Sequence, residues 1–121
     1  MLGSIIGDIV GSIYEFHNIK TKEFPLFTDR CDYTDDSILT IATAKWILDG
    51  GGKNNSGGYY FRYAFDHPHP KGGYGGGFVE WVNRAADGDF SPYNSCGNGS
   101  AMRVGPVGWA YNSGIPRWNR L

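Results

Sequence analysis

From Asp35 to about Leu48, the apolar residues Ile38, Leu39, Ile41, Ala42, Trp46 and Ile47 recur at spacings of three and four, a period that demands a helix. Thr34 stands at its N-cap, Asp35 and Asp36 fall in the first turn near the positive end of the dipole, and Gly50-Gly51-Gly52 ends it. The same tetrad, Thr34-Asp35-Asp36-Ser37, packs oxygen ligands densely. Adjacent carboxylates repel and desolvate poorly unless a cation neutralises them, and Mg²⁺ or Ca²⁺ takes such ligands. Taken alone, the tetrad fits a well-capped helix or half of a hard-metal site.

Upstream, residues 2–16 place Leu2, Ile5, Ile6, Ile9, Val10 and Ile13 at helical spacing. Gly3, Gly7 and Gly11 line one face of that expected helix, where another helix could approach closely; each costs roughly 1 kcal/mol of helix propensity relative to Ala. Asp8 and Glu15 lie about two turns apart on one face, so two more carboxylates point to a common site unless they are solvated surface acids. Residues 17–33, which include Pro25, have no sustained period and read as a long loop leading into the tetrad.

Beyond the triple glycine, Tyr59 to Phe65 fits a short helix or an aromatic-rich turn. His67-Pro68-His69-Pro70 is a rigid elbow, because residues before proline avoid the helical region. Phe78, Val79, Trp81 and Val82 mark another short helix closed by Asp87-Gly88. After the turn Asn94 to Gly99, Ser100 to Tyr111 forms the last helix, interrupted at Pro106. No alternation of apolar and polar residues calls for a sheet, and no fixed-period repeat is present, so the expected fold is all-α.

A chain of 121 residues fits one domain. Its net charge of -1 lacks the basic footprint of a nucleic-acid binder. Cys31 and Cys96, without metal-type spacing, suit free thiols in a reducing cytosol. The N-terminus has no basic region and carries Asp8 in its apolar stretch, so neither a signal peptide nor a membrane span is expected and the protein should be cytoplasmic. Nineteen glycines and 16% aromatics describe backbone that bends sharply between bulky anchors, as a ligand pocket requires, although runs such as Gly50-Gly51-Gly52 also suit plain loops.

Gly97-Asn98-Gly99-Ser100 ahead of a helix is either an ordinary tight turn or an anion or ribose site, where small residues let backbone N–H groups approach. His17, His67 and His69 form no metal-ligand pattern, and no Ser/His/Asp or Cys/His arrangement is evident.

Taken together, Gly7-Asp8-x-x-Gly11-x-x-x-Glu15, Thr34-Asp35-Asp36-Ser37, Gly73-Tyr74-Gly75-Gly76 with Trp81, and Gly97-Asn98-Gly99-Ser100-Ala101-Met102-Arg103-Val104 resemble, in order, the motifs of the ADP-ribosylglycohydrolase family. The resemblance runs from residue 1 to about 113; 114–121 reads as a short tail without it. It implies an all-α, Mg²⁺-dependent enzyme that hydrolyses the glycosidic bond joining ADP-ribose to arginine, serine or another acceptor. By the same resemblance, Thr34, Asp35 and Asp36 are metal ligands, Glu15 acts at the metal centre and Asp8 supports it. Ser95, Gly97, Asn98 and Gly99 match the turn that cradles ribose and diphosphate. Phe90 matches an aromatic that stacks on adenine, and Cys96 stands where some members use tyrosine.

Family members carry a later Asp-x-Asp-Thr-type segment that completes a two-ion centre, and this sequence stops before one. Three expectations follow: a hydrolase of ADP-ribosylated substrates; a catalytically incomplete module that binds ADP-ribose or a related nucleotide; and an assembly in which a homo-oligomer or second chain covers exposed helix faces.

Overall fold

The computed structural model describes residues 1–52 and 55–111; the expected boundary at 113/114 and the tail lie outside them. The described residues are all-α, with six helices: α1 Leu2–Gly11, α2 Asp35–Leu48, α3 Ser56–Asp66, α4 Gly76–Ala86, α5 Gly99–Met102 and α6 Gly105–Ala110.

Helix α2 is the axis of the fold and packs against α1, α3, α5 and α6. Its central residues are buried almost all round, with Leu39, Thr40 and Thr43 fully enclosed. A helix buried on every side needs partners for its polar atoms as well as its apolar ones. Thr43 Oγ1 donates to the Leu39 carbonyl at 2.8 Å and lies 3.2 Å from Tyr60 Oη, while Thr40 Oγ1 reaches the Met102 carbonyl at 3.4 Å. These contacts tie α3 and α5 to the axis.

Helices α3 and α4 form an aromatic layer beside it. Asn55 caps α3 by accepting from Gly57 N at 2.9 Å. Gly57 suits close packing, because a Cβ there would sit 3.0 Å from Asn55 Oδ1, 3.3 Å from Phe90 and 3.4 Å from Trp81. The α3 helix thus extends beyond the expected Tyr59–Phe65, and α4 forms around Phe78 to Val82 as expected. The final helical segment is split ahead of Pro106, which takes the first turn of α6, where its missing N–H costs no hydrogen bond.

Two expectations are corrected. Helix α1 ends at Gly11 instead of continuing to residue 16. Ser12 Oγ bonds back to the Ile9 carbonyl at 2.8 Å and accepts from Asp32 N at 3.1 Å, so the side chain draws the chain out of the helix and ties it to the following loop. The stripe of Gly3, Gly7 and Gly11 is not packed by another helix either: a Cβ at any of the three would meet nothing within 4 Å. Gly7 and Gly11 instead leave room on the wall of a pocket.

Candidate active site

The first turn of α2 is held by a residue from α1. Both Asp8 carboxylate oxygens are engaged: Thr34 N and Thr34 Oγ1 donate at 2.9 and 2.5 Å, and Ser37 N and Ser37 Oγ donate at 3.2 and 2.6 Å. Thr34 Oγ1 then accepts from Asp36 N at 3.2 Å. The orphan N–H groups of the helix start are therefore shared between its own N-cap and a carboxylate 26 residues earlier, whose negative charge also suits the positive end of the helix. Thr34 and Ser37 are buried by the arrangement, which fixes where the neighbouring Asp35 and Asp36 emerge.

Glu15 arrives by a turn, not along a helix face. After Gly11, Tyr14 N bonds the Gly11 carbonyl at 2.8 Å, and the chain swings Glu15 toward the loop before α4. A Cβ on Gly72 would lie 3.1 Å from Glu15 Oε2, and Gly72 has φ +80°, a backbone conformation that favours glycine.

Asp8, Glu15, Thr34, Asp35 and Asp36 line one pocket of about 570 Å³, closed on another side by Gly72, Gly73, Tyr74 and Gly75. Among the described residues, four carboxylates share this wall with no lysine, arginine or histidine. The electrostatic consequence is direct. Burial pushes the Asp35 carboxyl up to about 6, with Asp36, Glu15 and Asp8 adding repulsion and its backbone N–H acting against them. Asp36 is raised by burial and then by Asp8 and Glu15. Burial and the nearby Asp35 push Tyr74 up to about 12, so its phenol stays neutral at physiological pH.

The donor set fits a hard divalent cation: carboxylate and hydroxyl oxygens, negative charge that disfavours itself, and no basic side chain on the wall. Thr34 Oγ1 donates to Asp8 and accepts from Asp36 N, leaving it one lone pair. Among the described residues, no group of three His, Cys, Asp or Glu side chains is arranged to hold a metal ion on its own. An ion here would complete its shell with water or ligand oxygens, as Mg²⁺ commonly does.

The other candidates are placed differently. Asn98 alone of the Ser95–Gly99 turn lines the pocket. Ser95 Oγ accepts from Gly97 N at 3.1 Å in an exposed turn, and the helix that follows has only four residues, too short for much dipole. Phe90 lies in the aromatic layer, edge-to-face with Trp81 and Phe61 at 6.1 Å between ring centroids, and is not on the pocket wall. Residues not singled out from sequence also line it, namely Ser12, Phe16 and Gly72, beside Tyr74 of the Gly73-Tyr74-Gly75-Gly76 motif. Positive φ at Gly72 and Gly73 marks a bend in the Gly-Gly-Tyr-Gly-Gly run, next to the Tyr74 that lines the pocket.

The chain is 30% identical, over 92% of its length, to the ADP-ribosylhydrolase ARH3 of Xenopus tropicalis, and it spans 38% of that protein. No solved structure matches the chain. The match to the ADP-ribosylglycohydrolase family covers residues 1–120, every pocket residue among them, and the chain therefore belongs to that family.

Proposed function

We propose that the acidic pocket binds the ADP-ribose part of an ADP-ribosylated substrate and contributes, with Mg²⁺, to hydrolysis of its glycosidic bond. The observation that carries this reading is the convergence of Asp8, Glu15, Asp35 and Asp36 on one pocket, with no basic side chain among the described residues that line it, in a chain of the ADP-ribosylglycohydrolase family. The name of the Xenopus relative, a protein of which this chain spans 38%, points to the same bond.

Thr34, Asp35 and Asp36 would hold the ion, with Glu15 beside it. When bound, Mg²⁺ supplies neutralisation of the crowded carboxylates, a grip on ribose hydroxyls and a lowered pKa for water. Asp8 keeps Asp35 and Asp36 in place by holding the helix start. Glu15, exposed and set against bare Gly72, is suited to orient or deprotonate the attacking water. Asn98 offers an amide to the ligand from the far side of the chain. Water or substrate oxygens would complete the ion's shell, and the outward apolar residues Leu2 and Ile6 of α1 offer a surface suited to burial against a second chain. The free thiols Cys31 and Cys96 fit the cytoplasm. No described helix is long and apolar enough to cross a membrane.

The test is release of ADP-ribose from ADP-ribosylated arginine and serine peptides in Mg²⁺, with Asp35→Asn alongside. Turnover that falls on the order of a hundredfold or more in the variant is the expected outcome. ADP-ribose binding without turnover would make the chain a binding module, and neither binding nor turnover would remove the reading.

A further inference from the structure

Among the described residues of the pocket wall, Tyr74 is the aromatic whose position is fixed from both ends. Its hydroxyl donates to the His67 carbonyl at 2.8 Å, and its ring packs on Phe78 at 5.3 Å between centroids. Phe78 in turn stacks on Trp81 at 5.5 Å, and Trp81 meets Phe90 at 6.1 Å, so the ring is backed by a continuous series of aromatics reaching into the α3–α4 layer. On either side of it, Gly73 and Gly75 are bare, and a Cβ at either would meet nothing within 4 Å. Phe16, the other aromatic on this wall, is 71% exposed and has no such support.

We propose that Tyr74 is a specificity-determining wall of the pocket, on which a sugar ring of the ligand packs, and that its hydroxyl serves as a structural pin and not as a proton donor. This inference rests on the proposed binding of ADP-ribose. A sugar ring presents C–H groups on its faces and hydroxyls at its edge; the aromatic ring packs against the former while the facing oxygens take the latter. The commitment of the phenol proton to a backbone carbonyl argues against the rival role, in which the hydroxyl protonates a leaving group. A rigid, backed ring also loses little freedom when a ligand arrives, which favours binding over a mobile side chain.

Titration calorimetry of the full chain with ADP-ribose in Mg²⁺ separates these roles when run on the unaltered protein, Tyr74→Phe, Tyr74→Leu and Tyr74→Ala. Circular dichroism confirms folding of each. The wall predicts that Tyr74→Phe binds ADP-ribose within about threefold of the unaltered chain, while Tyr74→Leu and Tyr74→Ala bind about tenfold more weakly. Affinity for Mg²⁺ alone should be unchanged in all three, a readout that a general loss of pocket structure would shift. A Tyr74→Phe variant as weak as Tyr74→Ala would make the hydroxyl the working group and overturn the proposal, as would normal binding by Tyr74→Leu and Tyr74→Ala. If the unaltered chain binds Mg²⁺ but no ADP-ribose, the proposed function falls and Tyr74 falls with it; binding that all three variants retain sinks only the role of Tyr74.

Discussion

The two ends of α2 carry the same residue type in opposite electrostatic conditions. At the C-terminal end, Asp49 lies 2.6 Å from Lys45 Nζ and accepts from Tyr59 Oη at 3.1 Å; its carboxyl is held below the usual range, first by the Lys45 hydrogen bond. At the N-terminal end, Asp35 and Asp36 are half-buried beside Asp8 and Glu15, with no cationic side chain among the described residues of the wall, and both are pushed up. At the C-terminal end the charge of Asp49 is neutralised locally by Lys45. Charge left in conflict marks the place where a ligand must supply the opposite sign.

Within the N-terminal end a second contrast separates Asp8 from Asp35. Asp8 accepts four hydrogen bonds and holds two elements together. Removing it in Asp8→Ala leaves the buried donors of Thr34 and Ser37 unpaired and should cost about 3 kcal/mol in urea unfolding, the largest effect among these acids. A loss below about 1 kcal/mol would show that water replaces the carboxylate and that it does not organise the helix start.

For Asp35 the sign reverses. Its folded-state carboxyl titrates at about 6 against 3.8 in the unfolded chain, so between those values the folded chain binds more protons. Stability from this group is therefore lost as pH rises through that window, and the ionised form burdens the fold above it. Asp35→Asn removes the burden despite losing a favourable place at the helix start. In metal-free buffer it should raise Tm by roughly 3 °C at pH 7.5, with the gain disappearing near pH 4. A variant that melts lower than the unaltered chain at pH 7.5 would break the contrast with Asp8.

The smallest effect belongs to the other end. Asp49→Asn breaks an exposed, solvent-screened pair, and its Tm at pH 7 in 0.15 M salt should match that of the unaltered chain within measurement error. A clear drop would mean that the paired end is as important to folding as the cap.

These contrasts also explain which parts of the molecule were legible in the sequence. Helix α2 was, because its period and its Thr34 cap are local signals. The end of α1 was not, because it is set by Ser12 bonding to Asp32 N, a contact 20 residues away that no periodicity encodes. Asp8 and Glu15 were recognisable as acids near a site, but the reasons differ from the expected shared helix face. Asp8 works through partners 26 and 29 residues on, and Glu15 reaches the pocket by a turn against Gly72. Tyr74 was legible as part of the Gly73-Tyr74-Gly75-Gly76 motif, but its pin was not, because the His67 carbonyl comes from a proline-bounded elbow whose path depends on the packing around it. The turn from Ser95 to Gly99 reads clearly as a turn, yet only Asn98 from it reaches the acids, since α5 is too short to carry the rest inward.

The central claim is that the conflict among Asp35, Asp36, Glu15 and Asp8 exists to be resolved by a hard cation. Calorimetric titration of Mg²⁺ into the unaltered chain and into Asp35→Asn, in two buffers of different ionisation enthalpy at pH 6, tests it directly. Mg²⁺ should bind the unaltered chain with release of protons, because the ion displaces the proton held by Asp35, and binding should be at least about tenfold weaker and release fewer protons in the variant. No heat of binding at millimolar Mg²⁺, or equal binding by Asp35→Asn without a change in proton release, would contradict the account.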